Sequence, residues 1–239
     1  SVAPSSANPQ SVQVSAPGGT ASVTLAASIT EPSDGSPGDI SFATPVTCAL
    51  TPVVSGTPRS AAAAVSGGGV GGTLLATCAF ANLAVNEYTV QISVGGDRYT
   101  GSAQTALSVF DPSLGSVTGG GVVSRNGNQA VFGLTARYLK NGRVQGDFTW
   151  REHGSGPDVL IQSTAIQSIS IVGNAAVVIG EAIVNGTPHC GFQVIAVNNG
   201  SPGINRDQLA LEITNPDGTI RPDLTFPLTP ITGGNIQLH

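Results

Sequence analysis

The chain has 239 residues and a formal net charge of −5, and charged residues make up 10% of it, well below the usual quarter or so. Its eight arginines and one lysine are spread thinly and form no basic patch, which argues against nucleic-acid binding. No apolar run approaches the roughly 20 residues of a membrane-spanning helix. The first residue is Ser1 with no charged-then-apolar leader after it, so we expect a processed or trimmed product.

The first half of the chain has the pattern of an all-β domain. Residues 1–10 are a small, proline-marked arm that we expect to be mobile. Apolar residues then alternate from Val23 to Ile29, which is typical of a half-buried strand. The Gly/Ala tract over 60–72 indicates a loose strand and a flexible loop. With further strands near 46–53, 73–80, 87–94 and 103–110, residues 11–111 are predicted to form an immunoglobulin-like β-sandwich.

Two cysteines are candidates for a bridge in this domain. Cys48 and Cys78 share strand parity with the larger apolar residues around them, so both should point into one core. A bridge would close a loop of about 30 residues and contribute roughly 3–4 kcal/mol; two buried free thiols are the alternative. Because the composition is typical of extracellular proteins, we expect the bridge. Cys190 is predicted to be a small buried hydrophobe.

The break at Asp111-Pro112 and the glycines that follow predict a linker over 112–121. Residues 122–239 then predict a second all-β domain. Its strands near 175–185 and 189–198 carry apolar residues on both faces, which is typical of a second sandwich or a flattened barrel. The predicted fold is therefore all-β, with two tandem β-sandwich domains. The second domain is predicted to be either a sandwich or a flattened barrel.

One hairpin of the second domain makes a sharp prediction. A two-residue turn at Asn141-Gly142 would place Leu134 opposite Thr149 and mix core with surface. A three-residue loop over 140–142 instead pairs Tyr138 with Val144, Leu134 with Phe148 and Phe132 with Trp150. Since a one-residue slip exchanges whole faces, we predict the three-residue loop, with Gly142 left-handed.

No set of residues predicts catalysis. Ser155, His153 and Asp158 fall within six positions on a turn, but such a grouping is common, and no Gly-x-Ser-x-Gly elbow accompanies it. His189 adjoins Cys190, but the further ligands that a metal would need are not spaced to join them. Asp147 is expected to face outward with Thr149 and Arg151. We therefore predict that the protein is not an enzyme and holds no obligatory cofactor.

Two polar loops are weak calcium candidates. The first carries Asp34 and Asp39, with Glu31 before them, and the second carries Asn199 and Asp207, with Asn198 beside them. Neither matches an EF-hand loop, and loops rich in Asp, Asn and Gly are mostly turns.

A sugar-binding platform would need exposed aromatic residues. The hairpin register assigns Trp150 and Tyr138 to the core, which leaves Tyr88 and Tyr99. Asn185-Gly-Thr and Asn199-Gly-Ser have the form of glycosylation sequons.

Several segments resemble a known group of proteins. Val85-Asn-Glu-Tyr-Thr-Val-Gln-Ile followed by Gly95-Gly-Asp-Arg-Tyr-Thr-Gly-Ser resembles the end of bacterial Ig-like repeats. Phe110-Asp-Pro-Ser-Leu-Gly-Ser-Val-Thr-Gly-Gly-Gly is similar to the linker before a small C-terminal all-β domain of large secreted prokaryotic surface proteins. That domain's pattern is also met by Ala130-Val-Phe-Gly-Leu-Thr-Ala-Arg-Tyr, Gly191-Phe-Gln-Val-Ile-Ala-Val, Asp207-Gln-Leu-Ala-Leu-Glu-Ile and Gly233-Gly-Asn-Ile-Gln-Leu-His.

The resemblance covers nearly the whole chain after about residue 10 and implies secretion and a cell-surface role, although this chain is shorter than the usual multi-repeat proteins. The leading hypothesis is thus a non-enzymatic extracellular structural or adhesive module that pairs with other copies of itself or with surface proteins. In a sharper form, the 1–10 arm adds a strand to a neighbouring copy and builds a filament. The alternative is a carbohydrate-binding accessory module of a secreted hydrolase, and an enzyme with a pocket near His153 is third.

Overall fold

The computed structural model describes residues 1–5, 8–9, 11–31, 37–96, 98–111, 113, 115–139, 141–154 and 158–239. These residues form seventeen β-strands and one short 3₁₀ helix, Ile40–Phe42, so the fold is all-β as predicted. In the described part of the chain, no helix is long and apolar enough to cross a membrane. The chain divides into two compact units, Ser1–Phe110 and Asp111–His239, referred to below as the N-terminal and C-terminal units.

The N-terminal unit contains two sheets. One has four strands in the order β1-β3-β7-β6, and the other has five in the order β2-β9-β8-β4-β5. The strand bounds are β1 Val2–Pro4, β2 Ser11–Gln13, β3 Ala21–Thr30, β4 Val46–Pro52, β5 Arg59–Ala62, β6 Ala64–Gly67, β7 Thr73–Leu83, β8 Asn86–Gly95 and β9 Thr100–Phe110.

Both sheets contribute to one hydrophobic core. Along β3 the side chains alternate between the core and the outer face, so Leu25, Ala27 and Ile29 are buried while Ala26 and Ser28 face outward. Cys48 on β4 and Cys78 on β7 lie in this core and form a disulfide with a Cα–Cα distance of 6.3 Å. The bridge expected from strand parity is therefore present, and it joins the four-stranded sheet to the five-stranded one.

The N-terminal arm differs from its expected mobile state. Val2–Pro4 is an edge strand, β1, that pairs antiparallel with β3, and the side chain of Val2 packs on the core. The edge of β3 offers main-chain donors and acceptors along its length, and an extended segment without charges satisfies them. This hydrogen bonding was not visible in the sequence, because the segment carries no period-2 pattern of its own.

The C-terminal unit is a closed barrel of eight antiparallel strands, each paired with its sequence neighbours and the last with the first. Of the two architectures expected, the barrel is the one observed. Its strands are β10 Ser116–Arg125, β11 Asn128–Tyr138, β12 Val144–His153, β13 Val159–Val172, β14 Ala175–Val184, β15 Thr187–Val197, β16 Gln208–Thr214 and β17 Phe226–Leu238.

The barrel interior is filled by side chains from every strand. Phe148 and Phe192 lie with ring centroids 5.2 Å apart, and Trp150 and Phe226 lie at the same separation. Tilted aromatic pairs at this distance add to the stability that burial provides. Cys190 is fully buried in the same core, as predicted.

The predicted hairpin register is confirmed. Tyr138 pairs with Val144, Leu134 with Phe148 and Phe132 with Trp150, and Gly142 has a left-handed φ of 76°. Burial of one whole face therefore decides the register over the preference of Asn-Gly for a two-residue turn. Lys140, within the loop, lies outside the described residues.

The predicted glycine-rich linker over 112–121 is wrong for most of its length. Ser116–Arg125 is the first barrel strand, and Gly119 and Gly121 lie on its inward side, in phase with Val117 and Val123. A Cβ atom on Gly121 would stand 2.2 Å from the carbonyl oxygen of Gly233. These glycines allow close approach of two backbones at the closure of the barrel rather than flexibility between domains. Pro112 and Leu114 lie outside the described residues.

We expect Gly121→Ala to destabilise the C-terminal unit by about 1–3 kcal/mol, because the added methyl group forces a backbone shift in β10 or β17. Gly120→Ala is the matched control, since its Cβ would meet nothing closer than the carbonyl oxygen of Phe132 at 3.5 Å. Urea denaturation followed by the fluorescence of Trp150, the one tryptophan of the chain, measures both. Equal midpoints for the two variants would contradict the assigned role of Gly121.

Candidate functional sites

The N-terminal arm is held on β3 mainly by main-chain atoms. The Thr30 N–H donates to the Ser1 carbonyl at 2.9 Å, and the Ser5 N–H donates to the Ala26 carbonyl at the same distance. Beyond β1, the amide of Asn8 forms two bonds with Ala26: its Nδ2 donates to the carbonyl and its Oδ1 accepts from the N–H, both at 2.8 Å. The described part of the arm is therefore held by a short main-chain ladder and by the side-chain amide of Asn8, and Val2 packs on the core.

In the first calcium candidate loop, the described oxygens are engaged in holding the loop itself. Asp39 caps the 3₁₀ helix and accepts bonds from the N–H and hydroxyl of Ser41, which lower the pKa of its carboxyl. Glu31 accepts from the Gly38 N–H and, at 3.3 Å, from the Tyr99 hydroxyl. Asp34 lies outside the described residues.

In the second candidate loop, Asp207 is a buried structural carboxylate. It is fully buried; its Oδ1 accepts from the Asn199 N–H at 2.7 Å and its Oδ2 accepts from the Ile236 N–H at 2.8 Å. These bonds tie the loop over 198–207 to the last barrel strand. Asn199 is itself engaged, since its Nδ2 donates to the Arg206 carbonyl. Over the part of the chain that the structure describes, no three His, Cys, Asp or Glu side chains are grouped to hold a metal ion.

Two histidines lie beside carboxylates at the surface. His153 Nδ1 is 2.8 Å from an Asp158 oxygen, and the two side chains are 50% and 61% exposed. His189 Nδ1 is 3.7 Å from a Glu181 oxygen. Ser155, the third residue of the grouping considered in the sequence, lies outside the described residues. Asp147, Thr149 and Arg151 are exposed on one face of β12, as predicted.

The aromatic residues considered for a sugar platform do not form one among the described residues. Tyr88 is buried in the core, and its hydroxyl donates to the Ala84 carbonyl at 2.9 Å. Trp150 is 1% exposed. Tyr99 is half-buried, and the nearby Glu31 carboxylate adds to the desolvation that raises the pKa of its hydroxyl. Tyr88, one of the two candidates left by the sequence, is therefore not available to a sugar, and its buried hydroxyl is satisfied by a local main-chain acceptor.

The C-terminal unit carries two shallow grooves on the outside of the barrel. A polar groove of about 330 Å³ runs across β10, β11 and β12 and is lined by Thr118, Thr135, Arg137, Gln145 and Asp147 among others. A more apolar groove of about 430 Å³ runs across β15, β16 and β17, with Ile195, Glu212 and Leu228 in its lining.

One buried carboxyl was not foreseen from the sequence. Glu87 is 2% exposed, its partner is the Ser108 hydroxyl on the neighbouring strand, and its Oε2 has no hydrogen-bond partner among the described residues. Desolvation raises the pKa of Glu87 to about 8 against the opposing effect of Ser108. Since Tyr88 and Val90 face the core, strand alternation assigns Glu87 to the outward face, and no local signal in the sequence indicates its burial.

Comparisons with known proteins add little. No protein-family model matches the chain, and no curated protein matches it. Among solved structures, it is similar to an uncharacterized protein of Listeria monocytogenes EGD-e, at 12% sequence identity and a TM-score of 0.25. That match covers 85% of this chain and 18% of the other, so the chain spans less than a fifth of that protein. A likeness of this degree carries no argument about fold or function.

Proposed function

We propose that this chain is an extracellular, non-enzymatic structural or adhesive module that assembles with copies of itself by exchange of its N-terminal strand. The disulfide between Cys48 and Cys78 supports an oxidising location. The chain has few charged residues, and each of its two β units has a well-filled core. Both features are suited to a stable subunit that packs against other copies.

Within this proposal the N-terminal unit is an immunoglobulin-like sandwich. It has two sheets whose neighbouring strands are mostly antiparallel and which share one core. The disulfide joins β4 of one sheet to β7 of the other. An inter-sheet bridge across such a core is a common feature of immunoglobulin-type domains. A module of this kind presents sheet edges and loops to partners instead of a deep pocket.

The observation that carries the proposal is how the arm binds β3. Most of its hydrogen bonds to β3 in the described residues are main-chain bonds, and a neighbouring copy's arm could make these bonds and the Asn8 side-chain bonds equally well. Exchange of an identical element between copies replaces these bonds one for one, so it costs little in interaction energy. Copies linked arm to sheet in one direction would extend head to tail.

Deletion of residues 1–10 tests the proposal. Full-length protein is expected to form ordered fibres or rings in negative-stain microscopy and to scatter light in a concentration-dependent way, whereas the deletion variant is expected to lose both. Circular dichroism checks that the variant keeps its β fold, and a peptide of residues 1–10 is expected to bind the vacated edge. Equal assembly with and without the arm, or no assembly of the full-length protein, would contradict the proposal.

The alternative, a carbohydrate-binding accessory module, is favoured by one feature, the polar groove across β10–β12. There Arg137 Nη2 donates to Gln145 Oε1 at 3.4 Å, and the hydroxyls of Thr118 and Thr135 lie nearby. Hydroxyls, an amide and a guanidinium are suited to sugar hydroxyl groups. A non-assembling protein that is retarded in a polysaccharide gel, and less so after Arg137→Ala, would support this alternative.

A further inference from the structure

Residues 59–67 form an exposed edge of the N-terminal unit that is distinct from the arm. Strands β5 and β6 are separated by a single residue, yet β5 is the outermost strand of the five-stranded sheet and β6 is the outermost strand of the four-stranded one. The chain thus passes from one sheet to the other along one side of the N-terminal unit. We call this segment, Arg59 to Gly67, the crossing edge.

The other edges of the N-terminal unit are short and flanked by proline. Strand β1 has three residues and ends at Pro4, and β2 has three residues with Pro9 before it and Pro17 beyond it. Short length and proline are the usual means by which proteins prevent an edge from pairing with another chain. The crossing edge contains no proline within it, although Pro58 precedes it; β5 and β6 have four residues each, and residues 60–67 are alanine, serine, valine and glycine only.

Hydrogen bonding fixes which backbone groups of β6 point outward. The Gly68 N–H donates to the Thr73 carbonyl of β7 at 2.9 Å. In an antiparallel pair, hydrogen-bonded positions alternate, so Ser66 and Ala64 also direct their N–H and C=O groups toward β7. The N–H and C=O groups of Val65 and the N–H of Gly67 therefore point away from β7, toward the open side of the strand; Gly67 itself has a left-handed φ of 82°.

These outward groups lie on a strand that is exposed along its whole length. The side chains of β6 would not block an approaching strand. Ala64 and Ser66 are small, and Val65, which is 40% exposed, carries no charge. The only charge on the crossing edge is Arg59, at its start, where Nη2 donates to the Ala81 carbonyl at 3.3 Å. A second identical edge would meet no like charge opposite β6.

We propose that β6 pairs antiparallel with β6 of a second copy of this chain, so that two four-stranded sheets become one continuous eight-stranded sheet. An identical strand is a fitting partner because a two-fold axis between the copies makes the contact self-complementary. The proposal does not depend on exchange of the N-terminal arm, since β1 and β6 lie at opposite edges of the same sheet. It supplies a symmetric contact in addition to the head-to-tail one.

Sedimentation equilibrium from micromolar to millimolar concentration tests this contact in the 1–239 chain carrying Ala3→Cys and Ser28→Cys, paired positions of β1 and β3 whose disulfide keeps the arm on its own sheet. This arm-locked protein is expected to be a monomer–dimer mixture. Ser66→Lys places like charges across the two-fold axis and is expected to weaken the dimer at least tenfold. Thr24→Lys, exposed on β3 of the same sheet, adds the same charge away from the edge and is expected to leave dimerisation unchanged.

A second variant, Val65→Pro, tests the same contact without adding a charge. Proline at this position removes an outward N–H while all bonds to β7 remain, so the fold is expected to persist and the dimer to be lost. Hydrogen exchange of the Val65 and Gly67 amides is expected to slow as concentration rises. A protein that stays monomeric throughout, or one whose dimer survives both Ser66→Lys and Val65→Pro, would overturn the proposal while leaving the arm-exchange proposal standing.

Discussion

Removal of both bridged cysteines, by Cys48→Ala with Cys78→Ala, is expected to lower the free energy of unfolding of the N-terminal unit by about 3–4 kcal/mol. The bridge closes a loop whose ends are separated by 30 residues, and the chain-entropy account assigns a loop of this size a stabilisation of that order. Loss of the cross-link raises the conformational entropy of the unfolded chain. The two alanines also leave small voids in the core, where both cysteines are 1% exposed.

Hydrogen exchange measures the effect within each unit. Amides of β4 and β7 are expected to exchange faster in the double variant, whereas barrel amides such as those of β11 and β12 keep their protection. Cys190→Ala is the control, because it removes a buried thiol that forms no bridge. Unchanged protection of β4 and β7 in the double variant would show that the disulfide adds nothing to the stability of the unit.

Glu87→Gln is expected to stabilise the protein at alkaline pH and to have almost no effect near pH 4. Glu87 has a pKa of about 8 in the folded chain against an ordinary value of 4.5. Below pH 4.5 both the folded and unfolded states hold the proton, so the group is neutral in both. Between pH 4.5 and pH 8 the unfolded state releases the proton and the folded state keeps it, so stability falls as pH rises, by about 1.4 kcal/mol for each pH unit.

The glutamine variant removes this dependence because it is uncharged at every pH and has nearly the same shape. Urea denaturation at steps from pH 4 to pH 9 is expected to show a difference between variant and wild type that grows to several kcal/mol and levels off above pH 8. Asp147→Asn, at an exposed position of β12, is expected to show a small, flat difference over the same range. A flat difference for Glu87→Gln as well would mean that Glu87 is ionised in the folded protein.

Much of the architecture could be predicted because burial alone determines it. The hairpin from Phe132 to Trp150 is the clearest case, since its register follows from the requirement that every large apolar side chain lie on one face. The pairing of Cys48 with Cys78 follows from the same parity argument applied to two strands.

The failures arose where the backbone, rather than a side chain, makes the decisive contact. Gly119 and Gly121 were read as a linker because glycine usually indicates flexibility, but in β10 they are needed where two strands come too close for a Cβ atom. The expectation of a mobile arm rests on side chains that show no pattern, whereas in the structure main-chain bonds pair Val2–Pro4 with β3. The pattern of side chains in a sequence does not indicate such main-chain contacts between strands.

The candidate sites were harder to predict for a related reason. The polar composition of its loop makes Asp207 a weak calcium candidate, and the structure shows that its two oxygens accept bonds from main-chain N–H groups, one of them from the distant β17. Glu87 gave no signal, since its burial depends on neighbours that strand alternation does not specify. Local sequence identifies polar residues, and the tertiary structure decides whether they are available.

Cross-linking between different copies tests strand exchange most directly. Ala3 on β1 and Ser28 on β3 are paired residues, so an Ala3→Cys protein and a Ser28→Cys protein, carrying different affinity tags, form a mixed disulfide readily when the arm of one copy lies on the sheet of the other. A mixture of Ala3→Cys and Thr24→Cys proteins, with the second cysteine exposed on β3 away from Ala3, measures the disulfides that form by random collision. After mixing and mild oxidation, the account predicts a covalent species that carries both tags and disappears on reduction. If no mixed species forms, while a single chain with both substitutions closes its own bridge, the arm stays with its own sheet and the strand-exchange account is contradicted.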